Sequence, residues 1–108
     1  MLTRGTTPTI TFTVPFDAAD ITQLNICFQQ RGRMNYQGEN NVLEKTLSDC
    51  TIEGDKIKVE LSELDTLQFD QNVREVCIQL RVGIGEKRLA SQIIQTTVGE
   101  ILKDGVLE

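Results

Sequence analysis

The sequence predicts an all-β domain, an immunoglobulin-like two-sheet β-sandwich of about seven strands with one short helical turn. Apolar and polar residues alternate along several short segments, which is the pattern of half-buried strands. Turn residues separate these segments, and one segment alone has leucines at helical spacing. A chain of 108 residues, 39% hydrophobic and 25% charged, has the size and composition of one folded domain. We therefore expect a single domain over residues 1–108, with an N-terminal arm at 1–8 and a C-terminal tail at 99–108.

The clearest strand signal lies at residues 9–14, where Ile10, Phe12 and Val14 alternate with threonines. Residues 74–82 show the next strongest alternation, and charged side chains within 42–47 indicate an edge strand. The predicted strands are residues 9–14, 23–30, 42–47, 50–53, 56–61, 74–82 and 88–98. The side chains predicted to face inward from the hairpin strand 56–61 and from 74–82 are Ile57, Val59, Leu61, Val76, Ile78, Leu80 and Val82.

Residues 62–69 predict one capped helical turn between two strands. Ser62 and Asp65 have the spacing of a capping box. Leu64, Leu67 and Phe69 are expected to cap the open end of the sandwich.

The last predicted strand, 88–98, has apolar residues at both parities. Ala90, Ile94 and Val98 share one face, whereas Leu89 and Ile93 share the other. Either a bulge or burial of both faces accounts for this pattern.

The three cysteines are predicted to be free thiols in a reducing compartment. Cys27 and Cys77 occupy the second and sixth predicted strands, and both alternate with core residues, so they are expected to point outward from opposite sheets. Two such residues do not reach the Cα separation of about 4.4–6.8 Å that a disulfide needs. The chain has no histidine and no Cys-x-x-Cys pair, so no zinc site is expected.

Composition argues against several function classes. The net charge of −5 disfavours nucleic-acid binding, and the absence of histidine removes the commonest general base. The acidic residues are scattered and are interpreted as solvated side chains. We therefore expect no catalytic residue, no cofactor, no metal and no small-molecule ligand. Apolar runs of two or three residues and the lack of an apolar leader predict no contact with a membrane and synthesis in the cytoplasm.

Two segments are candidate protein contacts. The predicted loop at residues 30–41 is longer than most hairpin connections and contains residue types enriched at interfaces; an extended hairpin is the alternative. The tail carries apolar residues that must pack on their own sandwich or on a neighbour. The candidate contact residues are Arg31, Arg33, Met34 and Tyr36 in the loop and Ile101, Leu102 and Val106 in the tail.

Four segments together carry a family resemblance. They are the Arg-Gly-Thr-Thr-Pro-Thr run that leads into Phe12, residues 43–50, residues 79–82 and residues 98–106. Along nearly its whole length the chain resembles a group of small uncharacterised prophage-encoded proteins. This resemblance implies a component of the phage structural gene set, of the tail or baseplate, and implies no catalytic residue.

Two functions remain open at this point. The first is a non-catalytic phage-derived structural or assembly protein, whose partners are other phage structural proteins or a second copy of itself, and which is then assembled into a virion. The alternative is a module that binds carbohydrate or a host-surface ligand through loops at one end of the sandwich.

Overall fold

The computed structural model describes residues 1–30, 41–70, 72–73, 75–91, 93–102 and 105. These residues form nine strands, one short α-helix and two 3₁₀ turns, so the predicted all-β character is confirmed. The strands are β1 (Leu2–Thr3), β2 (Thr9–Thr13), β3 (Gln23–Gln29), β4 (Asn41–Thr46), β5 (Cys50–Glu53), β6 (Lys56–Glu60), β7 (Glu75–Ile84), β8 (Lys87–Ala90) and β9 (Ile94–Gly99). The helix α1 is Glu63–Leu67, and the 3₁₀ turns are Ala18–Asp20 and Leu47–Asp49.

The described strands form two sheets. The larger sheet has the order β1-β9-β7-β3-β4, with β8 also paired to β7, and the smaller has the order β2-β6-β5. The β1–β9 pair is parallel, and the other pairs are antiparallel. β4 lies at the edge of the larger sheet, as its charged residues predicted.

One cluster of buried side chains joins both sheets. Ile26 and Phe28 of β3 pair with Leu80 and Ile78 of β7, and all four are buried. The seven residues predicted to face inward from segments 56–61 and 74–82 are all buried. Alternate side chains of a strand point to the same face, so one set faces the core. The cluster contains the inward side chains of both sheets.

The last predicted strand is two strands, β8 and β9, which pair with successive parts of β7. At the break, Ser91 N–H donates to the Leu80 carbonyl at 2.8 Å and Ser91 Oγ accepts from Leu80 N–H at 3.0 Å. Ser91 thus replaces a regular ladder pair. Of the two alternatives for this segment, burial of both faces is wrong, because Leu89, Ile93 and Ile94 are about half exposed.

The predicted helical turn is present, with the Ser62–Asp65 capping box formed on α1. Phe69 is buried and its ring lies edge-on to Phe28, with 6.0 Å between centroids. Leu64 does not contribute to this cap, because its side chain is 62% exposed. The helix is one turn long and packs one face against the core. Thr66 lies on that face and is buried in place of Leu64.

The N-terminal arm packs on its own sheet. Leu2 is buried, and Arg4 donates its N–H to the Gly99 carbonyl at 3.0 Å. The Arg4 guanidinium donates to the carbonyls of Phe69 and Leu67 at 2.8 and 3.1 Å. These bonds satisfy carbonyl groups that the C-terminal end of α1 leaves unpaired.

Candidate protein-contact surface

No described strand lies on the side of β2 that faces away from β6. Leu61 donates its N–H to the Pro8 carbonyl and Val14 donates to the Asp55 carbonyl, each at 2.9 Å. Pairs in an antiparallel ladder alternate between hydrogen-bonded and non-hydrogen-bonded. The backbone groups of the even-numbered residues between 8 and 14 therefore bond to β6, and those of the odd-numbered residues point away from β6. The N–H and C=O groups of Thr9, Thr11 and Thr13 therefore lie along this side of β2, which we call the open edge.

The open edge lacks the usual protection of an edge strand. Natural edges are commonly guarded by charges, bulges or short length. β4 contains Glu44 and Lys45, β8 begins with Lys87 and Arg88, and β1 has two residues. β2 has the sequence Thr-Ile-Thr-Phe-Thr and carries no charge. It is therefore the described edge best suited to receive another strand.

A groove of about 460 Å³ lies beside the open edge, between the two sheets. Of the described residues, none from β6 lines it, so the groove opens on the same side of β2 as the open edge. Leu89 and Ile94 contribute apolar side chains that are each 45% exposed. We call it the lateral groove; its apolar lining residues are Phe12, Val14, Pro15, Phe16, Leu80, Val82, Leu89, Ala90 and Ile94.

Five of the predicted contact residues lie outside the described residues: Arg31, Arg33, Met34 and Tyr36 of the loop and Val106 of the tail. The hypothesis that the loop docks a partner therefore stays a prediction.

The first two apolar residues of the tail lie in different environments. Ile101 is half-buried, and its Cδ1 lies 3.2 Å from where a Cβ on Gly5 would stand. Leu102 is fully exposed. The tail thus begins by folding back on the N-terminal arm and leaves Leu102 available to a neighbour.

Cys27 and Cys77 lie on neighbouring strands of one sheet, so the prediction that they lie on opposite sheets is wrong. Cys27 is opposite Gln79 and Cys77 is opposite Gln29, which makes the cysteines diagonal neighbours on one face. Such neighbours are about 7–8 Å apart, beyond the range of an unstrained disulfide. The error has a topological cause: β3 pairs directly with β7, and local alternation carries no information on that pairing. None of the three cysteines forms a disulfide.

The thiols of Cys27 and Cys50 have little nucleophilic character. Burial raises the pKa of Cys27, and the Glu44 carboxylate raises it further. Burial and then the Asp49 carboxylate likewise raise the pKa of Cys50. Thiols with raised pKa values stay protonated near neutral pH, and the thiolate is the reactive form.

The described ranges hold neither a metal-ligand cluster nor a membrane-spanning helix. No group of three cysteine, aspartate or glutamate side chains there could hold a metal ion. No helix in the described part of the chain is long and apolar enough to cross a membrane.

Comparison with known proteins adds no relative. No protein-family model, curated protein or solved structure matches this chain. The resemblance to prophage-encoded proteins therefore stays a prediction. The fold and the surface define the class at a coarser level: an all-β protein of two sheets with one unprotected strand edge.

Reasoning from the sequence did not identify β2 as the open edge, and it missed the lateral groove. A signal was present, since residues 9–13 alternate perfectly and carry no charge. That pattern also fits a central strand, and the position of β2 at an edge depends on which strands pair.

Proposed function

We propose that this protein is a non-catalytic, phage-derived structural or assembly protein of a tail or baseplate that acts through protein–protein contacts. The open edge beside the lateral groove carries the proposal. Unpaired backbone groups on a strand edge form a template for a strand of another chain. A strand bound there would satisfy these groups and cover Leu89 and Ile94.

The strand order supports an immunoglobulin-like sandwich. In that fold one sheet contains strands A, B, E and D, and the other contains C, F and G, with C′ added in variable-type domains. β2, β6 and β5 follow the order B, E, D, and β4, β3, β7 and β8 follow the order C′, C, F, G. The open edge takes the place of strand A, because β1 pairs with β9 instead. A sandwich of this kind offers a partner a position for one strand.

Co-expression with the structural proteins encoded beside the gene tests the proposal. The wild-type chain should form a stoichiometric complex that survives size-exclusion chromatography. Thr11→Lys places a charge in the middle of the open edge and should abolish the complex. Thr51→Lys makes the same change at an exposed position of β5, at the far edge of the same sheet, and should leave the complex intact. Failure to form a complex with any co-expressed protein, or equal binding by both variants, would contradict the proposal.

The alternative function, binding of carbohydrate or a host-surface ligand through loops at one end of the sandwich, predicts a different result. The isolated protein should then bind a glycan array saturably, and Thr11→Lys should leave that binding unchanged. The chain has no tryptophan and one tyrosine, and aromatic side chains are common in ligand sites. The protein-contact proposal is therefore the stronger of the two.

A further inference from the structure

We infer that the open edge pairs with the same edge of a second copy of this chain, antiparallel and centred on Thr11. This inference rests on the proposed assembly function: it assigns the open edge to a second copy, and the Thr11-dependent complex with co-expressed proteins then forms on the dimer. The pairing would join two three-stranded sheets into one continuous sheet across a two-fold axis.

The pattern of β2 is complementary to itself. Threonines alternate with two apolar residues, so the strand shows the same pattern in both directions. Antiparallel pairing centred on Thr11 places Thr9 opposite Thr13 of the second copy and Thr11 opposite its own counterpart. These are the residues whose backbone groups face the open edge, and each such pair exchanges two hydrogen bonds. The pairing therefore satisfies every N–H and C=O of the open edge.

The side chains on both faces suit this pairing. Thr9, Thr11 and Thr13 are exposed, and cross-strand threonine pairs are favourable. On the inner face, Ile10 of one copy lies opposite Phe12 of the other, which is a favourable pair of a β-branched and an aromatic residue. Because the two-fold axis is perpendicular to the joined sheet, the second copy extends over the lateral groove and covers its exposed apolar side chains.

Charges on β6 are complementary in the antiparallel arrangement, although each Lys56 Nζ also lies 3.8 Å from Asp55 Oδ1 of its own copy. Lys56 lies opposite Thr13 and its Nζ donates to Thr13 Oγ1 at 3.1 Å, whereas Glu60 lies opposite Thr9. Antiparallel pairing puts Lys56 of one copy and Glu60 of the other in the same row, about 14 Å apart at the backbone, or three strand spacings. Their side chains reach toward each other across the threonines, and symmetry repeats the pair. A parallel pairing of the two edges would need the two-fold axis along the strands, which would place the threonine face of one copy beside the apolar face of the other.

Repulsion between the two copies is weak at the contact. Lys58 lies opposite Thr11, at the centre of the contact. Its Nζ lies 2.9 Å from Glu53 Oε2 of the same copy, so its charge is balanced within each copy. Each chain carries a net charge of −5, but charges separated by more than about 8–10 Å are largely screened at physiological salt. Hydrogen bonding between the two open edges therefore outweighs the repulsion between the net charges of the two copies.

Sedimentation equilibrium of the purified full chain, from micromolar to near-millimolar concentration, tests the inference. A monomer–dimer equilibrium is expected. Thr11→Pro removes an edge-facing N–H from each copy and leaves the β2–β6 ladder intact, because proline is tolerated on the outward side of an edge strand. Loss of the two central hydrogen bonds should weaken the dimer about tenfold or more. Thr11→Lys should weaken it as well, and Thr51→Lys should not.

A charge exchange tests the direction of pairing. Lys56→Glu and Glu60→Lys should each weaken the dimer by about two- to fivefold, the range for exposed ion pairs, and the double variant should restore it. Restoration by the double variant is not expected from a dimer formed through any other surface. Equal affinity of all four proteins would overturn the antiparallel register.

Amide hydrogen exchange provides a readout independent of mutation and of folding. The amides of Thr9, Thr11 and Thr13 should exchange fast in dilute solution and slowly at high concentration. The amides of Ile10 and Phe12, which bond β6, should be protected at both concentrations. Concentration-independent exchange at the three threonines would overturn the inference.

The outcomes separate this inference from the proposed function. A chain that stays monomeric, but still forms the Thr11-dependent complex with co-expressed phage proteins, would overturn the self-pairing and support the assembly function. A Thr11-dependent dimer that forms no such complex would support the self-pairing and contradict the assembly function. A dimer insensitive to both Thr11 substitutions would place the contact on another surface and overturn the inference.

Discussion

Single buried side chains determine how the segment after α1 joins the larger sheet. Gln30 is fully buried; its amide donates to the carbonyls of Asp70 and Val73 at 2.9 and 2.7 Å and accepts from Asp70 N–H at 2.8 Å. Leaving such groups unpaired costs about 1–3 kcal/mol each. Gln30, predicted as the first residue of a contact loop, therefore belongs to the core.

Phe69 should be among the most sensitive single positions. Phe69→Ala is expected to lower the free energy of unfolding by about 3–5 kcal/mol, because it leaves a cavity against Phe28. Leu64→Ala, on the same short segment, is the matched control and should change it by less than about 0.5 kcal/mol, as surface substitutions do. Urea denaturation of both variants measures the difference. Similar losses would place Leu64 in the core.

The thiols should differ in reactivity according to exposure. Cys27 and Cys50 are partly exposed and should react slowly with a thiol reagent in the native protein, since burial raises both pKa values. Cys77 is 4% exposed and should react only after local opening. Mass spectrometry of timed samples gives the order of labelling. A Cys27–Cys77 crosslink in the native protein would contradict the diagonal geometry.

At the scale of elements, one ion pair joins α1 to the edge strand β4. Lys45 Nζ lies 2.8 Å from Asp65 Oδ2, and both side chains are less than one-fifth exposed. Asp65 also accepts from Ser62 N–H in the capping box. Burial by itself would raise the pKa of Asp65, but the hydrogen bonds from Lys45 and Ser62 outweigh it and hold the pKa below its ordinary value of 3.8.

This pKa predicts an acid-dependent loss of stability. A carboxyl with a lowered folded-state pKa stabilises the protein fully above about pH 3.8 and loses that contribution as the pH falls through the lower, folded value. Lys45→Met should therefore cost about 1 kcal/mol at neutral pH, a modest value for a pair that keeps some solvent contact. Denaturation at a series of pH values should show the two proteins converging below about pH 3.8. A constant difference down to pH 2 would exclude Asp65 as the titrating partner.

The connection between β3 and β4 provides a second prediction for an element. These strands are adjacent and antiparallel, with Gln29 opposite Asn41, so a short glycine-containing turn can replace residues 31–40. The free energy of unfolding should change by about 1 kcal/mol or less, because closure entropy varies slowly with loop length. If the loop docks a partner, the same variant should lose the complex with co-expressed phage proteins while keeping the dimer. A large loss of stability would mean that the loop packs on the core.

At the scale of the whole molecule, the N-terminal arm lies against β9 and the first apolar residue of the described tail. β1 pairs with β9, Ile101 lies against Gly5, and Arg4 holds the end of α1. Removal of residues 1–4 should therefore cost about 3 kcal/mol or more, since it takes buried Leu2 from the core. Truncation after Glu100 is the matched change at the other end and should cost less, because it removes the half-buried Ile101 and the exposed Leu102. Thermal unfolding of both variants compares them; equal losses would mean that the tail packs as tightly as the arm.

The sequence alone determined the local features: the alternation of β2, β3, β6 and β7, their inward residues and the capped turn of α1. Strand faces and caps arise from interactions within a few residues, so they can be predicted from a short window. The tertiary structure alone decided that Cys27 and Cys77 share a sheet, that Ser91 divides the last strand, that Leu2 is buried and that β2 keeps an open edge. These features depend on which distant segments pair, and pairing is set by the packing of the whole core, which period-two alternation does not encode.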